Sequence, residues 1–450
     1  MSFHSQCIIL FLCCLALYVF ILVRCRSGLL GLTFLNVFQV GSASLSAFGF
    51  GLLFNLNDDW IDSEHVTVFW YSGIALISMG TGIWIAWSPL RRSPAEHGVP
   101  AGIHFNTTPW VTSEFALLFI LVGAFAYAAY PFVQRVPTVN TICANLMAWL
   151  RIGILIALLH GKVHRNYKAF LLGLALFAPL SIMQMLLSGH APASTTLVIP
   201  LLIVAFFSMR VTAGSFLLGA VSVIILAFAM SIWMNSRSLL RSGELESLDY
   251  MQRAQEVGSE MLNQKKSADL SPQAIQELLF LRIDMSELLA QQVSYQPLGE
   301  PYAHGKTFFS GFVSLVPRFI WRDKPMIAGG SDFVSRYTGT VRPEEDRTSV
   351  GIPYQFELYA NGGPYLVIIG LFVIGWVTAK MELVLFRPFR SLKQILPLIV
   401  TTMVICSGGE RFSIYIASVG AAAGGAYLLG FFIEFTFPEF HARALGLKKS

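Results

Sequence analysis

Apolar residues in this chain run in long blocks rather than along single faces. Blocks long enough to span a bilayer fall at about 7–23, 28–54, 66–88, 111–131, 140–160, 167–187, 193–209, 213–234, 363–386, 394–409 and 412–434. A hydrocarbon core of ~30 Å needs about 20 apolar residues in a helix. The pattern therefore predicts an all-α polytopic membrane protein of about eleven transmembrane helices, the 394–409 helix being short. It divides the chain into residues 1–234 with helices one to eight, a polar loop at 235–362, and residues 363–450 with the last three helices and a short tail.

Composition agrees with the pattern. The 450 residues are 55% hydrophobic and only 13% charged, where soluble proteins carry about 25% charged residues. A net charge of +5 is too small for this length to mark a nucleic-acid binder. Its placement is more informative. On one set of connections stand fifteen Lys and Arg, including Arg24, Arg91, Lys162, Arg210, Arg387 and Lys448. The short connections on the other side carry Arg135 and Arg411 only. Cations concentrate on the cytoplasmic side, so the N-terminus is expected outside (periplasmic in a bacterial inner membrane) and the C-terminus in the cytoplasm. The first block has no cation before it and Arg24 and Arg26 after it, the reverse of a secretory leader, and reads as a retained span. The six cysteines lie in or beside apolar blocks and show neither a disulfide framework nor metal-ligand spacing, so no cofactor or metal is expected.

With this orientation the 235–362 loop is extracytoplasmic. It holds 13 of the 31 cations and 16 of the 26 acids. Residues 244–263 read as a polar surface helix. Ser271-Pro272 reads as the start of another, with Ile275, Leu278, Arg282, Met285 and Leu289 on one face. Arg282 interrupts that stripe and needs an anionic partner, either a structural carboxylate or a substrate phosphate. The apolar run 307–321 is too short to span and leads into VPRFIWRDKP at 316–325, with Arg318, Arg322 and Lys324. Such a segment is expected to lie on or dip into the membrane surface, its cations at headgroup level. They either bind a ligand that is half lipid and half phosphate, or serve only as anchors. Arg336 and Tyr337 follow. The stretch GIPYQFELYANGG at 351–363 precedes the ninth block. Glu357 and Tyr359 would share a face in a strand and not in a helix, and Asn361-Gly362-Gly363 is expected to be a turn. A lone Glu at a membrane boundary is commonly an ion-pair partner and less often a catalyst. His190, at the outer end of the sixth block, and the pair Glu410-Arg411 fall on the loop's side of the membrane. Arg151 falls inside the fifth block, where a charge faces a partner or a wet cavity. GxSxG, Walker A and HExxH patterns are absent.

With many spans before one long outer loop, an Arg-bearing helix (Arg282), VPRFIWRDKP and then FELYANGG running into the next span, the chain resembles the Wzy-like O-antigen and oligosaccharide repeat-unit polymerases. In that family the first stretch reads roughly Pro-Arg-aromatic-x-Trp-Pro-x-Lys-Pro and the second Glu-x-Tyr-x-Asn-Phe-Gly. Here Arg322 replaces the Pro and Gly362 stands at the Phe. The resemblance is specific over 282–363. It implies a GT-C-like architecture and metal-independent glycosyl transfer on undecaprenyl-diphosphate-linked oligosaccharide at the outer face of the inner membrane. Partners would be the bilayer, and the chain-length regulator and flippase of the same pathway. A diphosphate leaving group without a metal needs Arg and Lys to hold its charge. The cations are Arg282, Arg318, Arg322, Lys324 and Arg336, with Arg411 brought near by topology. Tyr359 joins the substrate contacts. An acceptor hydroxyl needs a base within reach, Glu357 first and His190 second. A ligase moving finished glycan, a transporter of lipid-linked sugars and a non-catalytic scaffold are the alternatives.

Overall fold

The computed structural model describes residues 3–25, nine positions between 33 and 45, 62–92, 112–133, 137–163, 168, 252, 255, 259, 285–316, 320, 321, 323, 324, 330–340, 352–385, 389, 391–406 and 412–445. Among these residues all regular structure is helical. The helices are α1 (Phe3–Cys25), α2 (Ser63–Arg92), α3 (Ser113–Val133), α4 (Pro137–Val163), α5 (Ser286–Tyr295), α6 (Lys306–Ser314), α7 (Gly330–Thr338), α8 (Tyr354–Val384), α9 (Leu392–Cys406), α10 (Phe412–Thr436) and α11 (Pro438–Ala444). Four segments are long and apolar enough to cross a membrane: Ser63–Ser88, Ser113–Tyr130, Tyr354–Val384 and Ser418–Thr436. Shorter apolar segments lie in α1, α4 and α9, at Ile8–Tyr18, Trp149–Gly161 and Leu392–Thr402. Apart from residue 168, the predicted blocks 167–187, 193–209 and 213–234 lie outside the described residues. Residues 1–156 and 284–450 form one compact unit, and residues 157–283 a second.

Glycine sets how closely the long helices of the first unit approach. Helices α2 and α8 run parallel, with the rings of Tyr71 and Tyr359 5.5 Å apart near one end. Further along, a Cβ on Gly82 would stand 2.3 Å from the Phe372 carbonyl oxygen, and one on Gly375 2.4 Å from that of Met79. Helices α3 and α4 cross in the same way, antiparallel, at Gly123 against Leu150 and Gly153 against Ile120. Membrane helices gain from van der Waals packing rather than from the hydrophobic effect, so bare backbone at a crossing is favourable. Gly375→Ala therefore puts a methyl into a main-chain oxygen and forces α2 and α8 apart. It should lower thermal stability by roughly 1–3 kcal/mol or more, as overpacking does. Gly424→Ala, with nothing within 4 Å of its Cβ, should leave the unfolding midpoint of the purified protein unchanged or slightly raised, since Ala favours a helix over Gly.

Glutamates fasten the helix ends. Glu382, buried in α8, accepts from the Thr33 N–H at 2.9 Å and its hydroxyl at 2.6 Å. Glu434, in α10, accepts from the Lys393 N–H at 3.1 Å and from the Ser391 hydroxyl, both at the start of α9. Glu357, in α8, accepts from the Ser413 N–H at 2.9 Å, in the first turn of α10. First-turn N–H groups have no intrahelical acceptor, and the helix dipole favours an anion there. Glu434 and Glu357 thus each supply an acceptor to the first turn of a neighbouring helix, α9 and α10 respectively.

One sequence expectation is met and one corrected. Asn361-Gly362-Gly363 interrupts the helix, as turn chemistry there predicts. It is a break within α8, with Gly362 at φ −166°, ψ 25° and Gly363 at φ 65°, ψ −161°. The chain resumes its helix at Pro364, a residue suited to a helix's first position. Met285 does not continue an apolar helical stripe into Leu289. It has φ −122°, ψ 14° and precedes α5, while its N–H donates to the Ala43 carbonyl at 2.8 Å.

Candidate functional site

The start of α8, the end of α9 and the start of α10 meet at one end of the bundle. Tyr354 Oη donates to the Ile405 carbonyl at 3.1 Å, and Glu357 meets Ser413. The short helices gather there too. Gln292 of α5 donates to the Phe356 carbonyl at 3.0 Å, and Gly311 of α6 lies directly on the Ser413 backbone. Phe333 of α7 packs on Phe356, ring centroids 5.9 Å apart.

At the centre is Glu357, with 0% of its surface exposed. One carboxylate oxygen is fixed by the Ser413 N–H. The other, Oε1, is buried with no hydrogen-bond partner among the described residues, and so is the Ser413 hydroxyl. A buried polar atom without a partner costs about 1–3 kcal/mol, so these two atoms have capacity at this junction for a further hydrogen bond. One turn on, Asn361 ties the break in α8 to the loop before α6. Its Nδ2 donates to Thr307 Oγ1 at 2.6 Å and to the Glu357 carbonyl at 2.7 Å, and its Oδ1 accepts from the Gly305 N–H at 2.8 Å. The Ala303 and His304 N–H groups donate to the Ala360 and Asn361 carbonyls at 2.9 and 3.1 Å. The interrupted helix end is thus satisfied.

Tyr359 is buried between Tyr71 and Tyr302, with ring centroids 5.5 and 6.2 Å away. As expected for a helix, it does not share the Glu357 face. Lys324 donates to the Ser314 and Val316 carbonyls at 2.9 and 2.8 Å, closing the end of α6 where a cation complements the dipole. Arg336 is gripped at two nitrogens by Glu300, Nε at 2.7 Å and an η nitrogen at 2.6 Å. That hydrogen bond raises the Arg336 pKa above its ordinary value. Burial, first, pushes the neighbouring Tyr337 hydroxyl up. Arg282, Arg318, Arg322, Arg411 and His190 lie outside the described residues. Arg151 is in α4, its Nε buried with no partner among the described residues.

A further cluster, at the same end, was not among the sequence candidates. Asp62 Oδ1 accepts from the His65 N–H at 3.0 Å, and lies 2.7 Å from His65 Nδ1. His65 Nε2 lies 3.1 Å from Glu287 Oε2 of α5. The legible signal was Asp62 three residues before His65 at the head of an apolar block, a helix-capping spacing. Glu287 gave no signal. The His65 N–H, first, holds the Asp62 carboxyl below its usual range. A depressed folded-state pKa stabilises above the unfolded value and is lost as pH falls through the folded one. Asp62→Asn keeps a good cap and removes the titration. The stability difference between wild type and Asp62→Asn should shrink as pH falls below about 4, the ordinary aspartate range. Denaturation midpoints across pH check this.

A family model described as a domain of unknown function (DUF8712) matches residues 103–384, a range that includes Glu357, Asn361 and the short helices around them. No curated protein and no solved structure matches the chain.

Proposed function

The chain belongs to the DUF8712 family, and we propose that it polymerises polyprenyl-diphosphate-linked oligosaccharide repeat units as a metal-independent membrane glycosyltransferase. The observation that carries this reading is the carboxylate of Glu357. One of its oxygens is held by a helix N-terminus and the other has no partner among the described residues. That arrangement suits a group that orients or deprotonates an acceptor hydroxyl. It stands where α8 enters its apolar length, as a substrate with a lipid tail and a sugar diphosphate head demands. In this reading Arg282, Arg318, Arg322 and Arg411 face the diphosphate, about eleven helices span the membrane in a GT-C-like arrangement, and the 235–362 loop lies outside the inner membrane.

A second reading is favoured by the Ser413 bond itself. Complete burial and a first-turn N–H make Glu357 a structural cap for α10, as Glu434 is for α9. A ligase would use the same chemistry on a finished glycan. Gene deletion followed by glycan analysis separates these. Single-repeat products in place of long chains support the polymerase. Full-length glycan left on its lipid carrier points to a ligase, and repeat units retained inside the cell point to a transporter.

A further inference from the structure

Helix α6 turns one edge to solvent that its composition does not suit. On this edge Phe309 and Phe312, three residues apart, are exposed, as are Lys306 at the start of the helix and Leu315 just beyond its end. Phe309 is 68% exposed, Phe312 57% and Leu315 40%. Beyond the end of the helix, Ile320 and Trp321 are exposed by 67% and 43%. The opposite side of α6 is occupied: Thr307 is bonded to Asn361, and Gly311 lies on Ser413.

The direction of α6 says what meets the exposed edge. Gly311 lies against Ser413 and Ile416, and Leu315 lies against Gly420. Helix α6 therefore descends beside α10 in the same sense. Ser413 and Gly420 are seven residues apart, roughly 10 Å along a helix. Gly420 is already inside Ser418–Thr436, a segment apolar enough to cross a membrane. The far end of α6 thus stands level with the membrane-crossing part of α10, not above it. Lys324 donates to the Ser314 and Val316 carbonyls, so these two backbone groups are not left open to hydrocarbon, where they would be costly. The sequence 305–324 carries Lys306, Arg318, Arg322 and Lys324 against one acid, Asp323, a balance that complements anionic headgroups.

We propose that α6 and the described residues just beyond it lie at the bilayer interface, with Phe309, Phe312, Leu315, Ile320 and Trp321 immersed in lipid as a wedge. The depth is the roughly 5–10 Å typical of interfacial helices. The wedge presents lipid directly beside the Glu357–Ser413 junction, and it does so whatever reaction that junction serves.

The test uses the full chain in vesicles of phosphatidylcholine and phosphatidylglycerol. A small fluorescent amino acid is placed at Phe312, at Ile320 or, as a reference on α7, at exposed Asp332. Doxyl-labelled phosphatidylcholine quenches from within the bilayer, and iodide quenches from water. The wedge requires lipid quenching to exceed iodide quenching at 312 and 320, with the reverse at 332. The two positions lie on separate arms, so one remains readable if a label at the other prevents folding. Iodide quenching at both as strong as at 332 would place the edge in water and overturn the proposal. Protection from both quenchers would also overturn it, by showing that a second copy or another protein covers the edge.

Discussion

Glu357→Gln should abolish most chain extension while leaving the protein assembled. The amide oxygen of Gln can still accept the Ser413 N–H that now bonds the carboxylate at 2.9 Å, so the cap on α10 survives in neutral form. What disappears is the charge and the ability to take a proton. A general base typically contributes about 100-fold or more to rate, and a loss of that order is expected in purified protein reconstituted in lipid. Donor binding, assayed separately, should be retained. A purely structural Glu357 behaves otherwise. The charge–dipole interaction with α10 is then its whole contribution, so Gln lowers the unfolding midpoint and donor binding together with activity. Normal extension by Glu357→Gln would remove the catalytic role and leave His190 as the first candidate.

The long helices were legible because their apolar blocks have the length a bilayer would require. The blocks at 66–88, 111–131 and 412–434 correspond to α2, α3 and α10, at Ser63–Arg92, Ser113–Val133 and Phe412–Thr436. The ends of the helices were less legible. Asp62 caps α2 from within its own sequence and could be read, but the Ser413 N–H of α10 is met by a glutamate 56 positions away. Thr33 is met by one 349 positions away. Nothing local to Ser413 or Thr33 encodes such a partner. The site was half readable for the same reason. Glu357 stood out as an acid in a motif-bearing stretch, while Ser413, which bonds it, and Thr307 and Gly311, which respectively bond Asn361 and lie on Ser413, are small residues whose role comes only from the helices they lie on. In VPRFIWRDKP the charges drew attention to Lys324, yet its geometry is that of a helix-end clasp. The apolar residues beside it, Ile320 and Trp321, are the ones left exposed.

The break in α8 was legible, because Asn-Gly-Gly is strong turn chemistry, but the partners of its open carbonyls were not. A turn would leave the carbonyls at its start to water or to a following strand. Here the Ala303, His304 and Gly305 N–H groups reach them and the Asn361 side chain, so the helix can stop and restart along a continuous course. The two glycines contribute unequally, and this gives the second large expected effect. Gly363 sits at φ 65°, ψ −161°, a region almost closed to residues with a Cβ. A methyl there would also stand 2.9 Å from Tyr302 Oη. Gly362 is at φ −166°, extended backbone open to any residue, with the Leu366 side chain 3.1 Å from its would-be Cβ. Gly363→Ala should therefore cost roughly 1–3 kcal/mol in backbone strain, with the Tyr302 contact in addition. Gly362→Ala requires only a small movement of Leu366. In parallel thermal unfolding of the two variants in lipid, Gly363→Ala should melt clearly lower. It should also lose activity out of proportion to its fold, because the break positions Glu357 through Asn361. Equal melting of the two variants would mean that the break tolerates a Cβ, and that the left-handed geometry at Gly363 is not what holds the two halves of α8 in place.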